Sequence, residues 1–263
     1  MKLARHWLLS VALAASIGCA TAQTAPTVKQ RQIDVPKKVL FVGNSYLYYN
    51  DSIHNHLRRM VDAGGIATEK ELQYKIVTIG GAPLAHHDVA AYLAPGKLGM
   101  KAPYDVVTLQ GNSGAALAEA RSKSFREKVV EFSAEIAKTG AKTALYMTHA
   151  YVAPNKSASP DMIRKVEQMY VAAGNEVGAL VIPVGLAFEE AYRRRPELPL
   201  HKAYDGSHPD LIGTYLAACV VYASLYGKSP VGNSYDYFGK VDKDMAAFLQ
   251  GVAWDAVTKF YAR

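Results

Sequence analysis

The sequence predicts one α/β domain, a three-layer α/β/α sandwich around a doubly wound, five-stranded parallel sheet of the flavodoxin-like type. Three observations predict it. Five short apolar or β-branched runs recur, each followed by a polar or glycine turn and then an amphipathic stretch, so strands and helices alternate along the chain. Most of these runs are continuously apolar and lack period-two alternation, as expected of strands buried on both faces. Finally, the 263 residues, 50% hydrophobic and 20% charged, suffice for a substantial core, yet contain no internal repeat or linker at which to divide.

The first 22 residues stand apart from that domain. Lys2 and Arg5 precede an apolar run from Trp7 to Ile17, and Ala20-Thr21-Ala22 follows. Charge, apolar segment and A-x-A in this order make a secretory signal peptide. The run is shorter than the roughly 20 residues that span a bilayer. Cleavage after Ala22 would leave Gln23 as the mature N-terminus, in the periplasm or outside the cell. Ser16-Ile17-Gly18-Cys19 allows a second reading, a lipoprotein anchored through Cys19. A leader over 23–36 then precedes the domain expected over 37–263.

Within the domain the expected strands are Lys38–Val42, Gln73–Ile79, Asp105–Leu109, Lys142–Met147 and Leu180–Val184. Helical patterns lie between and after them, over Ser52–Ala63, His86–Leu93, Ser122–Lys138, Pro160–Glu176 and Leu186–Arg195. Leu211–Tyr226 is the most apolar helix, too short and too interrupted by Tyr, Ser and Thr to be a membrane span. An amphipathic helix over about Asp242–Tyr261 completes the chain.

Composition excludes several functions. Two cysteines, Cys19 and Cys219, cannot build a disulfide scaffold or a multi-cysteine zinc site. The formal charge of +7 is spread among Glu and Asp, and the one dense basic cluster is Arg193-Arg194-Arg195. The tyrosines sit singly rather than in a stacking array, so no nucleic-acid partner is expected. No strand is followed by G-x-G-x-x-G or a P-loop. His86-His87 has only Asp88 beside it as a further ligand, so no metal is expected. Nothing in the sequence bears on oligomeric state.

In open α/β sheets the chemistry gathers at the carboxyl ends of the strands, and here those ends carry distinctive residues. The first strand runs into Gly43-Asn44-Ser45-Tyr46, where Ser45 leaves the sheet towards a helix, suited either to expose a nucleophilic hydroxyl or to cap the helix. The second ends in Gly80-Gly81, either of which could turn a backbone N–H towards an anion. Gly111-Asn112-Ser113 follows the third strand, with an amide side chain able to enter the same cleft or to close a turn. His149 and Tyr151, after the fourth, could line a pocket or pack. Before the apolar helix, Asp205-Gly206-Ser207-His208 lets one carboxylate reach one imidazole within a single loop, the pairing that fixes a histidine tautomer.

In this order the blocks resemble those of the SGNH (GDSL-like) hydrolases, from Leu40 to Tyr226. Gly43-Asn44-Ser45 matches the nucleophile block, Gly81 the oxyanion glycine, Gly111-Asn112 the oxyanion asparagine and Asp205-Gly206-Ser207-His208 the D-x-x-H block. The resemblance implies a serine ester hydrolase with Ser45 as nucleophile, His208 as base and Asp205 orienting it. It places the oxyanion hole at the N–H groups of Ser45 and Gly81 and the amide of Asn112, and requires no cofactor. His149 and Tyr151 are the expected substrate contacts, and a small-molecule or carbohydrate ester, with a short or acetyl acyl group, is the expected substrate. Two positions depart from the family pattern, Asn44 and Ser113 standing where an aspartate is usual. The G-N-S first block looks closer to a secreted branch than to the family's lipases. Two alternatives remain on the same fold: a noncatalytic periplasmic carbohydrate-binding protein, and an acyltransferase using the same three residues.

Overall fold

The computed structural model describes residues 25–263. The signal-peptide segment, Ala20-Thr21-Ala22 and Cys19 included, lies outside the described residues. Five parallel strands form one sheet: β1 (Lys38–Gly43), β2 (Gln73–Thr78), β3 (Val106–Leu109), β4 (Lys142–Tyr146) and β5 (Leu180–Ile182), in the order β2-β1-β3-β4-β5. All four pairings are parallel, with Val39 opposite both Tyr74 and Val106. This is the doubly wound flavodoxin-like order, whose direction of winding reverses between β1 and β3.

The sequence pattern explains the layers. Strand residues alternate between two cores because successive side chains point to opposite faces. Val39 and Phe41 join Val106, Tyr146 and Ile182 on one face, whereas Leu40 and Val42 join Val107, Leu109 and Leu145 on the other. The first core is closed by α2 (Ile53–Ala63), α6 (Val184–Arg194), α7 (Leu211–Tyr226) and most of α8 (Lys243–Tyr261). The second is closed by α3 (Val89–Leu93), α4 (Glu119–Lys138) and α5 (Met162–Val177). Fourteen residues of α7 are buried. A helix apolar on every side must be packed on every side, and α7 lies against α2, α6 and α8 as well as the sheet. Among the described residues no helix is long and apolar enough to cross a membrane.

Two elements differ from expectation, both for local reasons. A one-turn helix, α1 (Ser45–Tyr48), follows β1 directly, capped by the Asn44 side chain. The stretch over His86–Leu93 is divided: a 3₁₀ turn ends at His86, and Asp88 opens α3 by accepting from Ala91 N–H at 3.0 Å. An aspartate that satisfies a free amide in this way starts a helix and does not continue one. The leader from Ala25 onward packs against the domain. Asn175 bonds Thr27 and Ala25, Pro36 accepts from the Tyr226 hydroxyl, and Val28, Ile33 and Val35 lie against the first core.

Candidate active site

The carboxyl ends of β1, β2 and β3 meet at the point where the winding reverses, and Asn44 fastens them together. Its Oδ1 accepts from Tyr46 N–H at 3.3 Å, while Nδ2 donates to the carbonyls of Ala82 at 3.1 Å and Gly111 at 3.4 Å. Gln110 Oε1 accepts from the Asn44 backbone N–H at 2.9 Å, and Gly111 N–H donates to the buried Tyr170 hydroxyl at 3.0 Å. A carboxylate at position 44 has no hydrogen to give those carbonyls. The departure to asparagine thus has a structural use in this chain.

This scaffold holds Ser45, only 5% exposed, as the first residue of α1. As the first residue of a helix its N–H has no partner within that helix. Its Oγ lies 2.8 Å from His208 Nε2, and His208 Nδ1 lies 2.5 Å from Asp205 Oδ2. With Nδ1–H donating to the carboxylate, Nε2 is the ring's acceptor for the Ser45 hydroxyl. Asp205 Oδ1 accepts from the N–H groups of Ser207 at 2.9 Å and His208 at 3.1 Å. Burial would raise the Asp205 pKa, but the hydrogen bonds from the His208 ring and from these two amides outweigh it and hold the carboxyl below its ordinary range. Gly206 makes the loop possible. Its φ is +60°, and a Cβ there would stand 2.1 Å from the Val152 carbonyl oxygen.

The ring of His208 is held by tyrosines. Tyr49 stacks on its face at 4.4 Å between centroids, and Tyr46 meets it edge-on at 5.8 Å. The Tyr49 hydroxyl is pushed up to about 12 by its hydrogen bond with Tyr204, at 3.1 Å, and by burial. The sequence shows the tyrosine run but not which ring packs on His208. Asn50 adds a second tie between the two halves of the site, its Nδ2 donating to the Pro209 carbonyl at 3.0 Å and to Thr214 Oγ1 at 2.8 Å.

Gly81 and Asn112, on the loops that follow β2 and β3, stand together. Gly81, at φ +69°, requires glycine for its conformation and not for space, since a Cβ would meet nothing within 4 Å. Asn112 Nδ2 donates to the Gly81 carbonyl at 2.8 Å, and Oδ1 accepts from Gly114 N–H at 3.0 Å. One amide hydrogen of Asn112 is committed to the neighbouring loop, and the second remains for a ligand.

His149 requires a correction. Expected to contact substrate, it is wholly buried, stacked between Tyr46 at 4.3 Å and Phe188 at 4.2 Å. Its Nε2–H donates to the Ser207 carbonyl at 2.8 Å, and burial drives its pKa well below the ordinary value, so it is a neutral support beneath the Asp205–His208 loop. A polar residue after a strand reads alike whether it lines a cleft or underlies one. Tyr151 is half-buried with its hydroxyl 2.6 Å from Ser113 Oγ. His87, the one buried member of the His86-His87 pair, bonds the Gly43 carbonyl at 3.0 Å through Nε2.

Beside Asn112 lies a cavity of about 330 Å³, lined also by Pro83, Leu84, Ala85, Ala115, Phe125 and Arg121. Its size is that of a small-ligand site.

No family model matches the chain, and no curated protein matches its sequence. Solved structures do match. A Bacteroides uniformis protein of the DUF4886 family superposes with a TM-score of 0.63 at 21% identity, over 84% of this chain and 94% of that one. A candidate SGNH hydrolase from Slackia heliotrinireducens gives 0.57 at 22% identity, over 73% and 100%. Axe2, an acetylxylan esterase from Geobacillus stearothermophilus represented by its S15A catalytic mutant, gives 0.53 at 16%, over 73% and 96%. Five parallel strands in this order, helices on both faces and these superpositions give one conclusion: the chain has the α/β/α fold of the SGNH hydrolases.

Proposed function

We propose that this protein is a secreted serine ester hydrolase acting on short-chain, including acetyl, esters. The observation that carries the reading is the hydrogen-bonded series Ser45 Oγ–His208 Nε2, His208 Nδ1–Asp205 Oδ2, at 2.8 and 2.5 Å. A serine hydroxyl is a weak nucleophile until a base accepts its proton. His208 takes that proton as Ser45 Oγ attacks the ester carbonyl. Asp205, kept ionised by three hydrogen bonds, stabilises the resulting imidazolium. The negative charge on the former carbonyl oxygen falls to the N–H groups of Ser45 and Gly81 and the uncommitted amide hydrogen of Asn112. Collapse expels the alcohol with the proton from His208. Water, deprotonated by the same ring, then releases the acid from Ser45. An acetylxylan esterase among proteins of the same fold supports the acyl-ester reading, and the signal-peptide pattern supports export.

The test has two parts. A fluorophosphonate should label the wild-type protein on Ser45 and leave Ser45→Ala unlabelled. A p-nitrophenyl ester series from acetate to palmitate, beside acetylated xylan, should show Ser45-dependent hydrolysis weighted to the short esters. Labelling elsewhere, or hydrolysis that survives Ser45→Ala, would refute the assignment.

A further inference from the structure

The cavity beside Asn112 holds a charge that the ester-hydrolase reading does not use. Of the described arginines, Arg121 alone has no carboxylate, carbonyl or aromatic ring as its partner; the others pair with Asp, Glu or main-chain oxygens, or lie over Phe248. It stands in the first turn of α4 and lines the cavity together with Asn112 and Ser124. A permanent cation thus stands in an otherwise mostly apolar cavity that shares Asn112, the side chain assigned to the oxyanion.

We infer that this cavity binds a carboxylate carried by the ester substrate, with Arg121 as the specificity-determining residue. The inference rests on the ester-hydrolase reading and narrows it to anionic esters. A guanidinium is permanently charged and presents a planar fork that matches a carboxylate. The remaining walls, Pro83, Leu84, Ala85, Ala115 and Phe125, are apolar and supply no competing partner for it. The carboxylate can enter on either half of the substrate: on the acyl group, as in the half-ester of a short dicarboxylic acid, or on the alcohol, as in the acyl ester of a hydroxy acid.

Two matched pairs of esters separate these sources: p-nitrophenyl valerate against p-nitrophenyl hemiglutarate, and phenyl acetate against 4-carboxyphenyl acetate. kcat/KM is measured for the wild type, Arg121→Gln and Arg121→Lys at low and high salt. In one of the pairs the wild type should favour the carboxylate member over its neutral counterpart. Arg121→Gln should lower that ratio about ten- to a hundredfold, the range of a charged hydrogen bond. Arg121→Lys should restore part of it, and added salt should weaken it in the wild type because the side chain is exposed. The pair that responds identifies which half carries the charge. Equal efficiencies within both pairs, or a preference untouched by Arg121→Gln, would overturn the inference while leaving Ser45-dependent hydrolysis in place. If no ester is hydrolysed, the esterase reading has failed, and calorimetric titration with glutarate decides the cavity separately. Binding lost in Arg121→Gln supports it, whereas no binding, or equal binding by the variant, overturns it.

Discussion

Asn44→Asp exchanges one atom in the side chain that joins three loops, and its cost can be worked from the contacts. The Oδ1 bond to Tyr46 N–H survives, since a carboxylate accepts as an amide does. The two bonds from Nδ2, to Ala82 O at 3.1 Å and Gly111 O at 3.4 Å, do not. In a site 2% exposed, an anionic oxygen would instead face two carbonyl oxygens. Leaving a buried polar group unpaired costs about 1–3 kcal/mol, and the longer contact weighs less, so a loss of about 2–5 kcal/mol is expected at neutral pH. The introduced carboxyl can recover one bond by keeping its proton. Its pKa in the folded state is then raised above the unfolded value near 3.9, and the stability this recovers is present at low pH and lost as pH rises. Urea unfolding of both proteins at pH 5 and pH 8 tests this, with the deficit of Asn44→Asp larger at pH 8. A variant as stable as the wild type at pH 8 would refute the account of Asn44 as a two-way donor.

Four further outcomes follow from the same contacts. Asn112→Ala removes one oxyanion donor while sparing Ser45 and His208, so kcat should fall about 10²–10³-fold with KM little changed; a raised KM at constant kcat would make Asn112 a ground-state contact instead. Gly206→Ala drives a methyl into the Val152 carbonyl at φ +60°, so it should abolish ester hydrolysis while far-UV circular dichroism stays native; an active variant would show that the loop tolerates displacement. Burial lowers the pKa of His201 to about 4, and burial with the nearby Arg58 does the same for His54. The unfolded chain therefore takes up these protons first, and stability should fall as pH drops from about 6.5 towards 4, by up to about 1.4 kcal/mol per pH unit per histidine; denaturant midpoints that stay flat from pH 7 to 4.5 would contradict this. Cys219 is wholly buried in α7, with its thiol pKa raised by burial, so it should resist thiol reagents in the folded protein, and Cys219→Ala should leave the hydrolytic rate nearly unchanged; rapid modification of native protein would refute the packing described.

The sequence by itself determined the elements and the residues at their ends. Val39 to Val42 is apolar on every position and can only be a strand covered on both sides, and Leu211–Tyr226 can only be a helix enclosed by others. Gly43-Asn44-Ser45 and Asp205-Gly206-Ser207-His208 were legible because turn chemistry is local: a glycine, a capping side chain and a short reach each act within a few residues. Tertiary structure alone decided what those ends do to one another. Ser45 and His208 are 163 positions apart, and only the order β2-β1-β3-β4-β5 brings their loops together. The same holds for Asn44 beneath Ala82 and Gly111, for Tyr49 on the face of His208, and for Arg121 in one cavity with Asn112 and Leu84. His149 shows the limit most directly. Periodicity places it after β4, but whether it meets solvent or lies under Tyr46 depends on residues far along the chain that cover it. Burial at a strand end belongs to the packed layers, because neighbours distant in sequence supply the surface that excludes water.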